Sequence, residues 1–211
     1  MSAPQTVVFD LGGVLVDWDP RYLYRTLLPS EDEVERFVTE VTTPEWNAAQ
    51  DAGRTWAAAV AELSARFPEH AELIAAYDAR WLDTIGGHID GTVDLLRELR
   101  DGGSVGLYAL TNWSAEKFPL ALERFEFLSW FEGIVVSGTE RLVKPDPRLY
   151  QVLLDRYGLD ASSTVYIDDN PPNVDAAAEL GMTSLHFTDP GRLRDELSQL
   201  GLVSPDRSPE E

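Results

Sequence analysis

The 211-residue chain contains no cysteine. This absence excludes disulfide bonds, thiolate–zinc sites, iron–sulfur clusters and cysteine nucleophiles. Basic residues are also few: 17 lysine and arginine residues stand against 37 aspartate and glutamate residues, for a formal net charge of −20. A surface of this sign repels nucleic acid and anionic membranes, so we expect neither as a partner. An anionic ligand would need a local device, such as a metal ion or helix N-termini, to bind.

Long apolar runs are absent as well, and no stretch is long enough to span a bilayer. The first residues, MSAPQTVVFDLGGVLVD, have no basic region, and Asp10 interrupts their apolar run, which is not the pattern of a signal peptide. We therefore expect a cytoplasmic protein. Apolar residues make up 44% of the chain and charged residues 26%, as in ordinary globular domains that fold without a disulfide or metal staple.

Short β-branched segments alternate with longer amphipathic segments along most of the chain. The strand candidates are Val7–Phe9, Val105–Leu110, Ile134–Val136, Val165–Ile167 and Ser184–Phe187. Strands that read as nearly continuous apolar runs between helices predict an α/β fold, with a parallel sheet covered by helices on both faces.

Residues 18–88 break this alternation. They contain no convincing strand, and their helical candidates are Glu31–Val41, Thr55–Phe67 and Glu69–Leu82. We interpret this segment as an all-helical insertion between the first strand and the rest of the sheet. Residues 1–17 plus 89–202 then form the main domain, and the polar, proline-bearing residues 203–211 are predicted to be a disordered tail.

Polar residues follow the strands of the predicted sheet at their carboxyl ends. They are Asp10 after the first strand, Thr111 and Asn112 after the second, Lys144 past the third, and Asp168 and Asp169 after the fourth. In an open parallel sheet, ligands bind beyond this edge. A single Asp at a strand end is most often a turn or cap residue, but the arrival of all these groups at successive strand ends indicates one shared site.

These residue types predict a metal site next to a phosphate site. Carboxylates about 4 Å apart repel each other by several kcal/mol unless a cation lies among them. Carboxylates, a backbone carbonyl and water are hard oxygen ligands, which suit Mg²⁺ rather than zinc. The Thr111 hydroxyl, the donors of Asn112 and the Lys144 ammonium can together hold the oxygens of a phosphoryl group.

Four segments carry a family resemblance. In this order, VVFDLGGVLVDWDP, ALTNW, RLVKPDPRLY and VYIDDNPPNVDAAAELGM resemble the four motifs of the haloacid dehalogenase-like (HAD) hydrolase superfamily, and the match runs from Thr6 to Phe187. The resemblance implies a Rossmann-like sheet with a helical cap inserted after the first strand. Residues 18–88 would be that cap.

The resemblance also implies roles for the residues that fit the motifs. Asp10 would be the nucleophile that attacks phosphorus and forms an aspartyl-phosphate. Thr111 and the backbone of Asn112 would hold phosphoryl oxygens, and Lys144 would neutralise charge and orient Asp10. The implied activity is that of a phosphatase, and the implied partner is a small phosphorylated metabolite.

For the cofactor, the resemblance implies Mg²⁺. Its ligands would be the Asp10 carboxylate, the backbone carbonyl of Gly12 and the acid of the fourth motif. That acid would be Asp169, with Asp168 beside it.

Gly12 marks a departure from the family pattern. Most phosphatases of the superfamily carry a second Asp at this position as general acid/base, a contribution of roughly 10²–10⁴-fold. Asp17 and Asp19 are candidates to replace it if the loop folds back. Without a replacement, we expect a preference for leaving groups that need little protonation, such as an anomeric sugar phosphate or an acyl or aryl phosphate. The segment FDLGGVLVD is similar to the same segment in the superfamily branch that includes bacterial α-glucose-1-phosphate phosphatases, which also lack this Asp. This similarity favours a sugar phosphate as the substrate.

Two other functions stay open. A 2-haloacid dehalogenase would use Asp10 to attack carbon without a metal, and such relatives also lack the second Asp. The pair Asp168 and Asp169 would be costly without a cation, which favours the phosphatase. A non-catalytic phosphate-binding module is the other alternative, and the intact motif residues argue against it.

We expect residues that determine substrate specificity in the helical insertion. Trp46, Asn47 and Asp51 are candidates for facing the cleft, as is Trp113 directly after the second motif. Tryptophans in amphipathic helices are more often core residues, so these candidates are hypotheses for the structure to place.

Overall fold

The structure, a computed structural model, describes residues 3–205. Its strands are β1 (Thr6–Phe9), β2 (Val16–Trp18), β3 (Ile85–His88), β4 (Gly106–Thr111), β5 (Gly133–Val136), β6 (Thr164–Asp168) and β7 (Thr183–His186). Five of these strands form one sheet in the order β5-β4-β1-β6-β7, and every neighbouring pair in it is parallel. The predicted α/β fold with a parallel sheet is confirmed.

Helices fill the connections between the strands. Between β2 and β3 lie α1 (Pro20–Tyr24), α2 (Glu31–Glu40), α3 (Pro44–Asp51), α4 (Trp56–Arg66) and α5 (Ala71–Ala79). The later helices are α6 (Asp90–Gly102), α7 (Phe118–Arg124), α8 (Ser137–Glu140), α9 (Pro147–Tyr157), α10 (Pro171–Glu179) and α11 (Pro190–Gln199). Short 3₁₀ turns occur at Pro68–His70, Trp81–Thr84, Glu126–Trp130 and Ala161–Ser163.

The central strand β1 is buried on both of its faces. Val7 and Phe9 point into one hydrophobic cluster and Val8 into the other, and all three are fully buried. The first cluster includes apolar residues of α6 and α11, and the second those of α9 and α10. The sheet is therefore a middle layer between two layers of helices, which explains why its strands read as nearly continuous apolar runs.

The register of the sheet brings several strand ends to one place. β1 lies between β4 and β6, and Phe9 pairs with Ala109 on one side and with Ile167 on the other. Because all three strands run in the same direction, the residues that follow them leave the sheet at the same edge. The polar groups singled out in the sequence lie at this edge.

Residues 18–88 contain helices α1–α5 and contribute no strand to the five-stranded sheet. The expectation that they contain no strand at all was wrong, because β3 lies among them and pairs antiparallel with β2. β3 reads Ile-Gly-Gly-His, and its two glycines give no β-propensity signal. The predicted helix at 69–82 is also shorter than expected, since α5 ends at Ala79 and is flanked by 3₁₀ turns.

The chain stays ordered past the predicted start of the tail. Val203 is buried, and the backbone N–H of Ser204 donates to Glu98 Oε1 at 2.8 Å. Residues 206–211 of the predicted tail lie outside the described residues. Within residues 3–205, no helix combines the length and the hydropathy that crossing a membrane requires.

Candidate active site

Asp10 and Lys144 meet at the carboxyl edge of the sheet. The Asp10 N–H donates to the Ile167 carbonyl at 2.8 Å, which extends the β1–β6 ladder by one residue and fixes the aspartate at the edge. Lys144 Nζ lies 2.9 Å from Asp10 Oδ2, 2.7 Å from Asp168 Oδ2 and 3.0 Å from the Leu110 carbonyl oxygen. Each ammonium hydrogen therefore has an acceptor, and the buried lysine is held in one orientation.

Asp168 is fully buried, and its carboxylate accepts hydrogen bonds from four groups. These are Lys144 Nζ (2.7 Å), Tyr166 OH (2.6 Å), Asn173 Nδ2 (3.0 Å) and the backbone N–H of Asn170 (2.9 Å). A carboxylate offers about four lone-pair sites, so this one has no free direction for a further ligand. Its contacts are those of a residue that positions Lys144.

Tyr166 and Asn173 are site residues that the sequence analysis missed. Tyr166 lies two residues before Asp168 in β6, so both side chains point to the same face, and this spacing was an available signal. Asn173 lies in the first turn of α10, and Tyr150 OH donates to its carbonyl at 2.9 Å. Only the packing of that helix against the sheet brings Asn173 to Asp168, so no local pattern predicted it.

Asp169 is exposed, unlike its neighbour, and completes an acidic group. One oxygen from each of Asp10, Asp168 and Asp169 lies within 4.8 Å of the others. Burial raises the pKa of Asp10 to about 7, with Lys144 opposing the rise and the two other acids adding to it. Partial desolvation of its carboxyl group and the charge of Asp168 also raise the pKa of Asp169. A cation among these hard oxygen donors would offset their repulsion, so the donor set fits Mg²⁺.

The turn after Asp10 brings the backbone close to these acids. Gly13 has a φ of +76°, and a Cβ at this position would collide with the Asp169 carboxylate. Gly12 lies outside the left-handed region, and a Cβ there would meet no atom within 4 Å. Within residues 3–205 no hydrogen bond to the Gly12 carbonyl is found. A carbonyl without a partner beside the acids is the backbone ligand that the predicted Mg²⁺ site requires.

Thr111 and Asn112 end β4 on the other side of Asp10. The Thr111 hydroxyl is buried and has no hydrogen-bond partner in the described part of the chain. Asn112 Oδ1 accepts from the Lys144 N–H at 2.8 Å, and its Nδ2 donates to the Lys144 carbonyl at 3.2 Å. The Asn112 side chain therefore braces the backbone of Lys144 on both sides of its peptide unit.

A cleft open to solvent lies beside this edge, and the empty space in it, open solvent included, is about 400 Å³. It is lined by Gly12, Asn112, Trp113 and Ser114 of the main domain and by Trp18, Asn47, Asp51, Trp56 and Trp81 of the helical segment. Three of the four cleft candidates, Asn47, Asp51 and Trp113, are thus in its wall. Trp46 instead packs edge-on against Trp56 and Tyr77, with ring centroids 5.7 Å apart in both pairs.

Asp17 and Asp19, the candidates to replace the missing acid, are engaged elsewhere. Asp17 accepts a hydrogen bond from Tyr22 OH at 2.8 Å, and Asp19 caps the start of α1 by accepting from the Arg21 N–H at 2.9 Å. Neither is among the described residues that line the cavity. The structure therefore gives neither carboxylate a place in this cavity.

Asp51 has an unusual environment for a carboxylate. Burial raises its pKa to about 7, opposed by the charge of Lys144 and by the nearby backbone N–H of Ser114. Asn47 Nδ2 lies 3.4 Å from Asp51 Oδ2. No ion pair to Asp51 is found within residues 3–205, so its charged form is poorly compensated.

Comparison with known proteins gives a family match over most of the chain. A family model described as haloacid dehalogenase-like hydrolase matches residues 4–181. A sesquiterpene phosphatase of Aspergillus oryzae is 28% identical over 207 residues, which cover 93% of this chain and 96% of that protein. A phosphorylated carbohydrates phosphatase of Thermotoga maritima is 20% identical over 206 residues, covering 96% of this chain and 95% of its own length.

Solved structures share the fold. A HAD family enzyme from Bacteroides thetaiotaomicron, solved as a magnesium complex, superposes with a TM-score of 0.70 at 21% identity and covers 89% of this chain and 95% of its own. A dehalogenase superposes with a TM-score of 0.66 at 17% identity, covering 88% of this chain and 85% of its own. Because both identities are low, these likenesses concern the fold alone and do not separate the two activities.

Proposed function

The chain belongs to the haloacid dehalogenase-like hydrolases, and from this membership and its acidic site we propose that it is a Mg²⁺-dependent phosphatase that acts on a small phosphate ester. The observation that carries the proposal is the group of Asp10, Asp168 and Asp169 with Lys144 bound between two of them. We propose residues 18–88 as the cap over this site, and the cytoplasm as the location.

In the proposed reaction, a carboxylate oxygen of Asp10 attacks phosphorus in line with the ester oxygen. The bond from phosphorus to the alcohol oxygen breaks, and an aspartyl-phosphate forms. Water then attacks this phosphorus, which releases phosphate and restores the carboxylate. Lys144, held by Asp168, keeps Asp10 oriented and offsets negative charge. The unpaired Thr111 hydroxyl and the Asn112 backbone are proposed to hold phosphoryl oxygens.

The groups proposed to hold Mg²⁺ are the Asp10 carboxylate, the Gly12 carbonyl and the Asp169 carboxylate. When bound, the ion supplies Lewis-acid neutralisation of phosphoryl charge. Asp168 is proposed to position Lys144 rather than to bind the metal directly, because hydrogen bonds already occupy its lone pairs.

A sugar phosphate is the proposed substrate class. The cavity wall combines several tryptophans with the polar groups of Asn47 and Asp51, a mixture that suits a ligand with both C–H faces and hydroxyl groups. The relative named for phosphorylated carbohydrates supports this class. A terpenyl phosphate is a second candidate, supported by the four indole rings in the wall and by the relative named as a sesquiterpene phosphatase.

The acidic group also bears on the two alternatives. A dehalogenase without metal would leave three carboxylates gathered around Lys144 with no cation to offset their repulsion. A non-catalytic binding module would not require Asp10 to be held 2.9 Å from a buried lysine. Both observations favour the phosphatase.

A substrate panel tests the proposal. Sugar phosphates, a terpenyl phosphate, 4-nitrophenyl phosphate and 2-chloropropionate are assayed with Mg²⁺ and with EDTA. We expect phosphate release that needs Mg²⁺ and falls at least about 10³-fold in Asp10→Asn, because that variant has no anionic nucleophile. Chloride release in EDTA, or phosphate release that survives Asp10→Asn, would overturn it.

A further inference from the structure

Asp51 is the last residue of α3 and reaches the cavity from the helical segment. On the main-domain side, the same cavity is lined by Gly12 and Asn112, which lie close in the chain to Asp10 and Thr111. Among the residues that line this cavity, Asp51 is the acid contributed by the helical segment. Its pKa is raised, and no cationic side chain among the described residues lies within ion-pair distance of it.

Contacts from both sides fix the position of Asp51. Its backbone carbonyl accepts a hydrogen bond from Ser137 Oγ at 2.7 Å, and Ser137 Oγ in turn accepts from the Trp113 N–H at 2.9 Å. Tyr77 OH donates to Asn47 Oδ1 at 3.2 Å, which orients the amide so that Asn47 Nδ2 faces the Asp51 carboxylate. The end of α3 is therefore attached to the main domain, and its carboxylate is aimed by a neighbouring amide.

Further contacts hold the helical segment against the loop after β4. Trp56 Nε1 donates to Ser114 Oγ at 3.0 Å, and the Trp56 N–H donates to Glu116 Oε2 at 3.2 Å. Lys117 forms an ion pair with Asp78 of α5. The wall that carries Asp51 is thus closed onto the wall that carries Asn112.

In-line displacement sets where the leaving oxygen must lie. The attacking oxygen of Asp10 and the departing ester oxygen lie on opposite sides of phosphorus, so the ester oxygen points away from the sheet edge and toward the cavity. Gly12 offers no side chain there, and the space around it is open. We propose that Asp51 is the catalytic acid/base of this enzyme, which protonates the leaving oxygen from the helical segment; the inference rests on the proposed phosphatase function.

The protonation state of Asp51 agrees with this role. Burial raises its pKa to about 7, so that a substantial fraction of the carboxyl groups carry a proton near neutral pH. The titratable group that acts on it is Lys144, whose charge lowers its pKa. Tyr77 of α5 stays neutral, because burial raises its pKa and the charge of Asp51 adds to the rise.

The proton balance closes over the two steps. In the first, the Asp51 carboxyl gives its proton to the departing oxygen as the bond from phosphorus to that oxygen breaks, which yields the alcohol and the Asp51 carboxylate. In the second, the carboxylate takes a proton from the attacking water as the bond from phosphorus to Asp10 breaks. Phosphate leaves, and both side chains return to their starting forms.

The experiment compares two esters in Asp51→Asn. Glucose 6-phosphate has an alcohol leaving group that needs a proton, whereas 4-nitrophenyl phosphate releases a stable phenolate. We expect kcat/KM to fall by about 10²–10⁴-fold for the first ester and by less than about 10-fold for the second. The ratio of the two rates in one sample does not depend on the fraction of enzyme that is folded. Glu45→Gln, which removes an exposed acid of the same helix, is the matched control and should leave the ratio unchanged.

A rescue variant gives an independent readout. A side chain at position 12 meets no neighbouring atom within 4 Å at its Cβ, so Gly12→Asp is sterically allowed. Adding Gly12→Asp to Asp51→Asn should restore at least about 10-fold of the lost glucose 6-phosphate activity, because it returns an acid to the leaving-group side.

The outcomes separate the two proposals. Equal losses on both esters in Asp51→Asn, together with no rescue by Gly12→Asp, would overturn the role of Asp51. If Asp10→Asn still abolishes hydrolysis in that case, the phosphatase proposal stands alone. A wild-type enzyme that hydrolyses neither these esters nor the other phosphates of the panel in Mg²⁺ would overturn both.

Discussion

The two adjacent acids of the fourth motif have different environments although their sequence positions are nearly equivalent. Asp168 is fully buried and forms hydrogen bonds with four donors, while Asp169 is exposed. Burying a charge is costly, and the cost is offset only when partners satisfy the group. The contacts therefore give the two acids different roles in the proposed site: Asp168 binds Lys144, and the exposed carboxylate of Asp169 can bind a cation.

A matched pair of substitutions tests this division. Asp168→Asn leaves the buried Lys144 with Asp10 as its one remaining charged partner among residues 3–205, and we expect the free energy of unfolding to fall by about 3 kcal/mol. Asp169→Asn removes an exposed carboxylate and should change it by less than about 1 kcal/mol. Urea unfolding at pH 7 without Mg²⁺ measures both values.

Mg²⁺ binding supplies the complementary readout. The rise in melting temperature on adding Mg²⁺ should disappear in Asp169→Asn, because the ligand is lost. Equal destabilisation by the two variants, or a Mg²⁺ response that survives Asp169→Asn, would show that this assignment of roles is wrong.

At the scale of elements, the site depends on how parallel strands and one turn share an edge. Asp10 follows β1, and Thr111 and Asp168 are the last residues of β4 and β6. The three residues lie at the same edge of the sheet because neighbouring parallel strands end on the same side. The turn after β1 then passes close to Asp169, and Gly13 allows this approach with its positive φ and lack of a Cβ. The second glycine of the turn is thus required by geometry, whereas Gly12 is not.

Alanine at each glycine distinguishes them. Gly13→Ala combines an unfavourable backbone conformation with a collision against Asp169, and we expect a loss of about 1–3 kcal/mol in the free energy of unfolding and weaker Mg²⁺ binding. Gly12→Ala should cost less than about 1 kcal/mol and keep the Mg²⁺ response, since its Cβ points into open space. Urea unfolding and Mg²⁺ titration give the two values, and similar losses in both variants would contradict the geometric argument.

At the scale of the whole molecule, the net charge of −20 opposes the proposed substrate. Each phosphate ester approaches as an anion through a field of the same sign, and the proposed Mg²⁺ and Lys144 oppose that field at the site. Dissolved salt screens the long-range part of this repulsion, with a Debye length of about 8 Å at 0.15 M.

The enzyme should therefore be faster in moderate salt. With Mg²⁺ saturating throughout, we expect kcat/KM for an anionic ester to rise by roughly 2–10-fold between 10 and 150 mM NaCl, because encounter and binding are less opposed. The value of kcat at saturating ester should change much less, because it reports steps that follow binding, when the ester has already passed through that field. A fall in kcat/KM over this range would mean that the cationic groups of the site, rather than the net charge, govern the approach.

The sequence by itself determined the sheet and the identity of the residues at its edge. Apolar runs marked the five parallel strands to within a residue or two, and the polar residues directly after them had to meet, because parallel strands end together. Asp10 and the pair Asp168 and Asp169 could be found in this way, since each ends or directly follows a strand. Lys144 comes only after β5 and α8, and it was found through its motif. The mixed composition of β3 gave no such signal.

Only the tertiary structure decided which acid is buried and what faces the cavity. Asp168 and Asp169 differ because Asp168 contacts Lys144 and Asn173, which lie outside its strand, as well as Tyr166, whose position two residues earlier in β6 was a local signal. Asp51 reaches the cavity because the helical segment closes onto the loop after β4, and its environment depends on that closure. Burial and long-range contact set the charge and the free lone pairs of a carboxylate, and neither can be read from the residues next to it in the chain.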